Sequence, residues 1–145
     1  MNYFLLVATV SLIVQLAVLA MLLAGYRLRK QEKFRMHAFV MLAALATHLA
    51  IVFYIMVPSF VVALIPISLE KPTSILGILS PIHAALGSAA AILGVWIMGI
   101  WRLRKTTEYC VPKRKVMRAT YIVWVVSLGL GIVLYFVLNW TFLFG

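Results

Sequence analysis

Acidic side chains are almost missing from this chain. Glu32, Glu70 and Glu108 stand alone against thirteen lysines and arginines in 145 residues. None of the three falls within a long apolar run, which excludes intramembrane carboxylate chemistry, whether proton pumping or hydrolysis by paired acids. A single cysteine, Cys110, excludes an internal disulfide framework. The sequence has no glycine-rich nucleotide loop, no serine nucleophile motif and no CxxCH attachment. Those absences remove nucleotide binding, acyl transfer and covalently attached haem, and they leave no enzymatic reaction assigned. The first apolar stretch lacks a basic leading segment and a small-residue cleavage motif, so it is expected to be a retained helix and not a removed signal peptide.

What remains is hydrophobic. At 66% apolar and 11% charged residues, the composition is that of a membrane protein. Four runs have the length to cross a bilayer, at about residues 3–26, 36–57, 74–101 and 117–139. Pro58 is expected to stop the second. The fold class that follows is all-α, a single-domain integral membrane four-helix bundle with lipid bilayer as its surroundings.

The net charge of +10 would suggest nucleic acid in a soluble chain. Here five of the basic residues lie between Arg27 and Arg35 and seven between Arg102 and Arg118, with only Lys71 elsewhere. Such clustering orients a membrane protein, so no nucleic-acid partner is expected. It places both basic segments in the cytoplasm and both chain termini outside, in a multi-pass protein of the cell membrane. The segment 58–73 is apolar although it lies between spans. It reads either as an interfacial element leaning over the outer mouth of the bundle or as an apolar loop on the headgroups.

Two of the three histidines lie inside these spans. His48 precedes Pro58 by ten residues, about 15 Å at the helical rise. His83 follows the start of the third span by eight or nine residues, about 12–14 Å from the same outer boundary. An imidazole is costly in hydrocarbon unless something satisfies it, which makes both residues candidates for function. Two imidazoles facing each other from antiparallel helices are the donor set for a b-type haem carrying electrons, with both axial positions filled. Each ring would coordinate through one nitrogen and donate from the other to a helix carbonyl, Thr47, Ser80 or Ser88. Gly87, Ala90 and Gly94 follow His83 at i+4, i+7 and i+11, so Gly87 and Gly94 are candidate surfaces for a flat macrocycle. Small residues equally serve close helix packing, and histidines equally serve as hydrogen-bonding glue between helices.

His37 shares a helix face with His48 but lies near the basic boundary beside Arg35. A headgroup-level position, a propionate contact and a second haem site are its alternatives, with Met117 or Cys110 the soft ligands at that level. Arg35, Arg102 and Arg118 would neutralise propionates of a haem near the inner side. Gln15 is a buried amide suited to interhelical bonding or to a quinone, and Tyr54, Trp96, Tyr121, Trp124 and Tyr135 are aromatic candidates for flanking a redox cofactor.

The segment Lys33-Phe34-Arg35-Met36-His37 with Met41, then His48, Ser80-Pro81-Ile82-His83, Lys113-Arg114-Lys115 before Met117, and Trp124 and Tyr135 resembles the small four-helix family catalogued as domain of unknown function 420. The resemblance spans about residues 27–138 and implies a relation to assembly factors for haem–copper oxidases. Members typically carry four histidines. His37, His48 and His83 match three, and the fourth is replaced among Lys113, Arg114 and Lys115.

The expected function is therefore a membrane-embedded haem-b electron-transfer subunit of a larger respiratory complex, exchanging electrons with a quinone-like carrier or an external redox protein. The alternatives are an oxidase assembly or haem-handling factor, and a structural accessory subunit without cofactor.

Overall fold

The computed structural model describes residues 3–104 and 114–144. Cys110, Glu108 and the part of the second basic segment from Lys105 to Lys113 lie outside the described residues. Those described form an all-α bundle. Helix α1 (Tyr3–Lys30) runs antiparallel to the long second helix, which begins as α2 (Phe34–Ile51). Helices α5 (Ile75–Arg104) and α6 (Arg114–Phe144) make the other antiparallel pair. The pairs join chiefly where α1 meets α6, while α2 and α5 touch more sparsely. Four helices are long and apolar enough to cross a membrane, so the chain is a multi-pass membrane protein. Thr9 and Tyr135 are hydrogen-bonded at 3.0 Å, which puts the start of α1 and the end of α6 at one end of the bundle.

The α1–α2 turn is closed by the backbone. Lys33 N–H donates to the Leu28 carbonyl and Glu32 N–H to that of Arg29, the paired bonds of a Schellman motif. Glu32 occupies its left-handed position at φ 59°, where glycine is the usual residue.

The second helix departs from expectation. Pro58 does not end it: a π-helical segment (Val52–Met56), the short α3 (Val57–Ser59), a second π-helical segment (Phe60–Leu64) and α4 (Ile65–Glu70) continue it without a break. Proline has no N–H to donate and its ring crowds the carbonyl four residues back. Each π-helical segment lies just before or up to a proline, Pro58 and Pro66, where a wider turn relieves that crowding. The apolar stretch after Pro58 is thus largely helix, and α4 packs against α5. Distance from Pro58 does not measure the depth of His48. Pro81 likewise lies inside the continuous α5, and the preceding Ser80 hydroxyl donates to the Leu76 carbonyl at 2.6 Å.

The core is thin and lies at mid-bundle. Val18 and Leu22 of α1, Ala44 and Leu45 of α2, Ala90 of α5, and Trp124 and Leu128 of α6 are buried together. Small residues set the helix spacing. Leu45 fills the place beside Gly94, where an added Cβ would lie 2.9 Å from its Cδ1. The start of α5 is tighter still. Ser74 Oγ accepts from Gly77 N–H at 3.0 Å as an N-cap, and a Cβ on Gly77 would lie 2.5 Å from the Lys71 carbonyl oxygen.

That last contact is with backbone, which cannot swing aside. Gly77→Ala is expected to destabilise the protein by about 1–3 kcal/mol, read as a lowered thermal midpoint in detergent. Gly129→Ala, whose added methyl meets nothing within 4 Å, is the control and is expected to leave the midpoint unchanged or raised.

Candidate functional site

All four long helices contribute to one cavity of about 300 Å³. That volume lies at the lower end of small-molecule sites, which run roughly 300–1,000 Å³. Helix α1 supplies Ser11 and Gln15, α2 supplies His48, α5 supplies His83 and Gly87, and α6 supplies Ser127, Gly131 and Tyr135. The remaining walls are mainly aliphatic, and among the described residues no lysine, arginine or acidic residue lines the cavity. Val57 and Ser88, which also line it, are exposed, so the space is not sealed.

The second helix lines this cavity through His48, Val52, Ile55, Met56, Val57, Ser59 and Phe60. In an ideal α-helix three steps of four residues drift by about 120°. The wider π turn at Val52–Met56 takes up part of that drift between His48 and Phe60.

The two intramembrane histidines meet here in different states. His83 Nδ1 lies 3.0 Å from the Ser127 carbonyl oxygen. A carbonyl only accepts, so Nδ1 carries the proton and Nε2 keeps its lone pair. His48 is 3% exposed, and neither of its ring nitrogens has a hydrogen-bond partner. Its ring rests on the Trp124 indole with centroids 5.1 Å apart and planes tilted by 58°. The Gly87 backbone and the His83 ring are its polar neighbours across the cavity.

Other buried polar atoms surround the pair. Gln15 donates through Nε2 to Ser11 Oγ at 3.2 Å, but its Oε1 has no partner. The Trp124 indole nitrogen is also buried and unpaired. Gly131 makes room for this arrangement: a Cβ there would lie 2.7 Å from Gln15 Oε1 and 3.0 Å from His83 Cε1. Near the other end of the cavity Thr9 donates to the Leu5 carbonyl at 2.8 Å, so the Tyr135 hydroxyl donates to Thr9.

Of the residues singled out from the sequence, His48, His83 and Gly87 line the cavity and Gly94 does not, its place being held by Leu45. His37 stands apart. Its Nδ1 donates to the Gly25 carbonyl at 2.7 Å, strapping α2 to α1 toward the basic end. Arg35 and Arg118 are likewise absent from the cavity lining, and Tyr121 stacks on Tyr26 at 5.6 Å, away from the histidines. Trp124 and Tyr135 do flank the site, whereas Tyr54 is exposed and Trp96 is not in the lining. Among the described residues no group of three or more His, Cys, Asp or Glu could hold a metal ion. A ligand with its own equatorial donors needs only the two imidazoles. The Ser127 carbonyl and Gly131 were not singled out, because a carbonyl partner across 44 residues leaves no local spacing signal.

A buried, unbonded imidazole costs stability when the cavity is empty. In protein free of any bound group, His48→Leu is therefore expected to raise stability by about 1–3 kcal/mol, measured by thermal unfolding in detergent. A histidine serving as interhelical glue would show the opposite sign. No family model, curated protein or solved structure matches this chain, so the chemistry of the site itself carries the functional reading.

Proposed function

We propose that this bundle holds one haem b between His48 and His83 and serves as an electron-transfer subunit of a membrane redox complex. The observation that supports it most directly is the state of the two rings. His83 is held in one tautomer by a backbone carbonyl, with Nε2 available to a ligand, and His48 lacks any bond in the same cavity. A hydrogen bond on the far nitrogen is the usual second interaction of a metal-bound histidine. Bound there, haem would supply a one-electron carrier.

The chain's own residues shape that role. The neutral, mainly aliphatic lining surrounds the rings and, among the described residues, offers no cation to a carboxylate. Propionates of a bound haem would have to reach water or headgroups through the cavity's open side. The cavity also includes Val7 of α1 and Leu138 of α6, so it reaches toward the end where the chain begins and finishes, opposite the basic turn of Arg27–Arg35. By the clustering of positive charge, that end is extracytoplasmic, and an external redox protein or a quinone-like carrier would approach from there. The same open side favours a second reading, a haem-handling factor that releases its haem.

Visible spectroscopy of the detergent-purified protein tests the proposal. The expected result is a reduced haem-b band at one haem per chain that persists through washing and is lost in His48→Ala/His83→Ala. Haem that washes out supports the handling role, and a folded protein that never takes up haem removes both readings. For orientation, native Cys110 is expected to resist a membrane-impermeant maleimide in intact cells. A cysteine placed by Gly145→Cys in a Cys110→Ala background is expected to react; the reverse pattern inverts the topology.

A further inference from the structure

At the basic end of the bundle two tyrosines bridge helices α1 and α6. Tyr26 and Tyr121 stack across the seam between them, with centroids 5.6 Å apart and planes inclined by 26°. Lys30 lies one turn beyond Tyr26, and its ammonium is 5.2 Å from the centre of that ring. Arg118 lies one turn before Tyr121, on the same face of α6, and is exposed. The Thr9–Tyr135 and Tyr26–Tyr121 contacts make α1 and α6 antiparallel, so both cations are displaced toward the same end. At the helical rise Lys30 stands about 6 Å and Arg118 about 4.5 Å beyond the tyrosine level. The two charges therefore share nearly one height on neighbouring helices.

Little at this end balances that charge. Among the described residues Glu32 is its only acid, against five basic residues from Arg27 to Arg35 and Lys115 and Arg118 on α6. The backbone favours an anion as well. Helix α6 begins at Arg114, so the positive end of its dipole lies at this level, while the carbonyl end of α1 is partly capped by the Lys33 and Glu32 N–H groups. Positive charge that only orients a helix pair needs no particular neighbour. Here two cations from helices far apart in sequence flank one aromatic pair, and Lys30 is held over Tyr26. Tyr26 is itself exposed, so part of the pair faces the surroundings.

We infer that the α1–α6 seam at the basic end binds an anionic phospholipid, its phosphate between Lys30 and Arg118 and its glycerol backbone against the exposed part of the Tyr26–Tyr121 pair. Position selects this chemistry. Lys30 and Lys115 end the apolar spans of α1 and α6, so the site lies at headgroup height. Basic pockets between helices at that height are suited to lipid phosphates. The acyl chains would continue along the exposed apolar surfaces of the same helices, Leu23 and Ile122 among them. A soluble anion has no such second anchor, so lipid is the occupant this surface favours. The site is separate from the histidine cavity and independent of any group held there.

The test uses the full chain in neutral detergent, with dioleoyl phosphatidylglycerol as probe and dioleoyl phosphatidylcholine and inorganic phosphate as controls. Native mass spectrometry is expected to show one tightly held phosphatidylglycerol per chain. The thermal midpoint is expected to rise with that lipid and with neither control. Lys30→Gln/Arg118→Gln should weaken phosphatidylglycerol binding by about thirtyfold, the loss of two cations at a membrane surface. Should that variant not fold, the two single variants carry the same comparison at about fivefold each. Lys33→Gln/Arg35→Gln, which removes equal charge beside the start of α2, should weaken binding by no more than about threefold. Tyr121→Leu, which breaks the stack at unchanged net charge, should also weaken it. Equal loss in the two double variants reduces the surface to diffuse positive charge and overturns the site. Equal binding of phosphatidylcholine, or displacement of the lipid by inorganic phosphate, overturns it as well.

Discussion

Everything in this bundle turns on how polar nitrogen is accommodated where no bulk water reaches. A bilayer interior offers neither donor nor acceptor, so each side-chain polar atom must find a partner within the protein or remain in deficit. Most do find one. Thr9, Ser80 and Thr120 donate to carbonyls four residues back on their own helices, and Asn139 does the same through its amide. The deficit is concentrated at Gln15 Oε1, both nitrogens of His48 and the Trp124 indole, with three helices contributing to one neighbourhood. Gln15 and His48 of that cluster line the cavity.

The packing that surrounds this cluster follows from scarcity of another kind. Lipid removes the hydrophobic drive between helices, so close approach and shape decide which faces meet. At Gly94 the space is given to Leu45 and at Gly131 to the His83 ring. Two glycines thus do different things with the same absence of a side chain, one closing the core and the other making room for an imidazole ring.

Much of this was legible from the residues and some was not. Four apolar runs and the clustering of positive charge identify the number of spans, because hydropathy alone sets them. His48 and His83 stood out as polar groups in apolar surroundings, and the structure brings them to one cavity. Gly94 faces Leu45 and not the cavity, which its spacing could not show because a small residue on the histidine face is silent about what fills its space. Pro58 was misjudged because a proline is read as a stop, whereas a helix can widen its turn and pass through. The His83–Ser127 bond escaped because any residue of α6 offers a carbonyl, and only the tertiary register selects one.

The widened turns matter for which atoms face inward. Inserting or removing one residue between His48 and Phe60 would rotate every later position by about a quarter-turn or slightly more, some 100°. Insertion would move Phe60 to the exposed register of Val61, and removal would move Ser59 to that of Pro58, although composition and hydropathy barely changed. Length, as much as residue identity, therefore sets which side chains of this stretch reach the cavity.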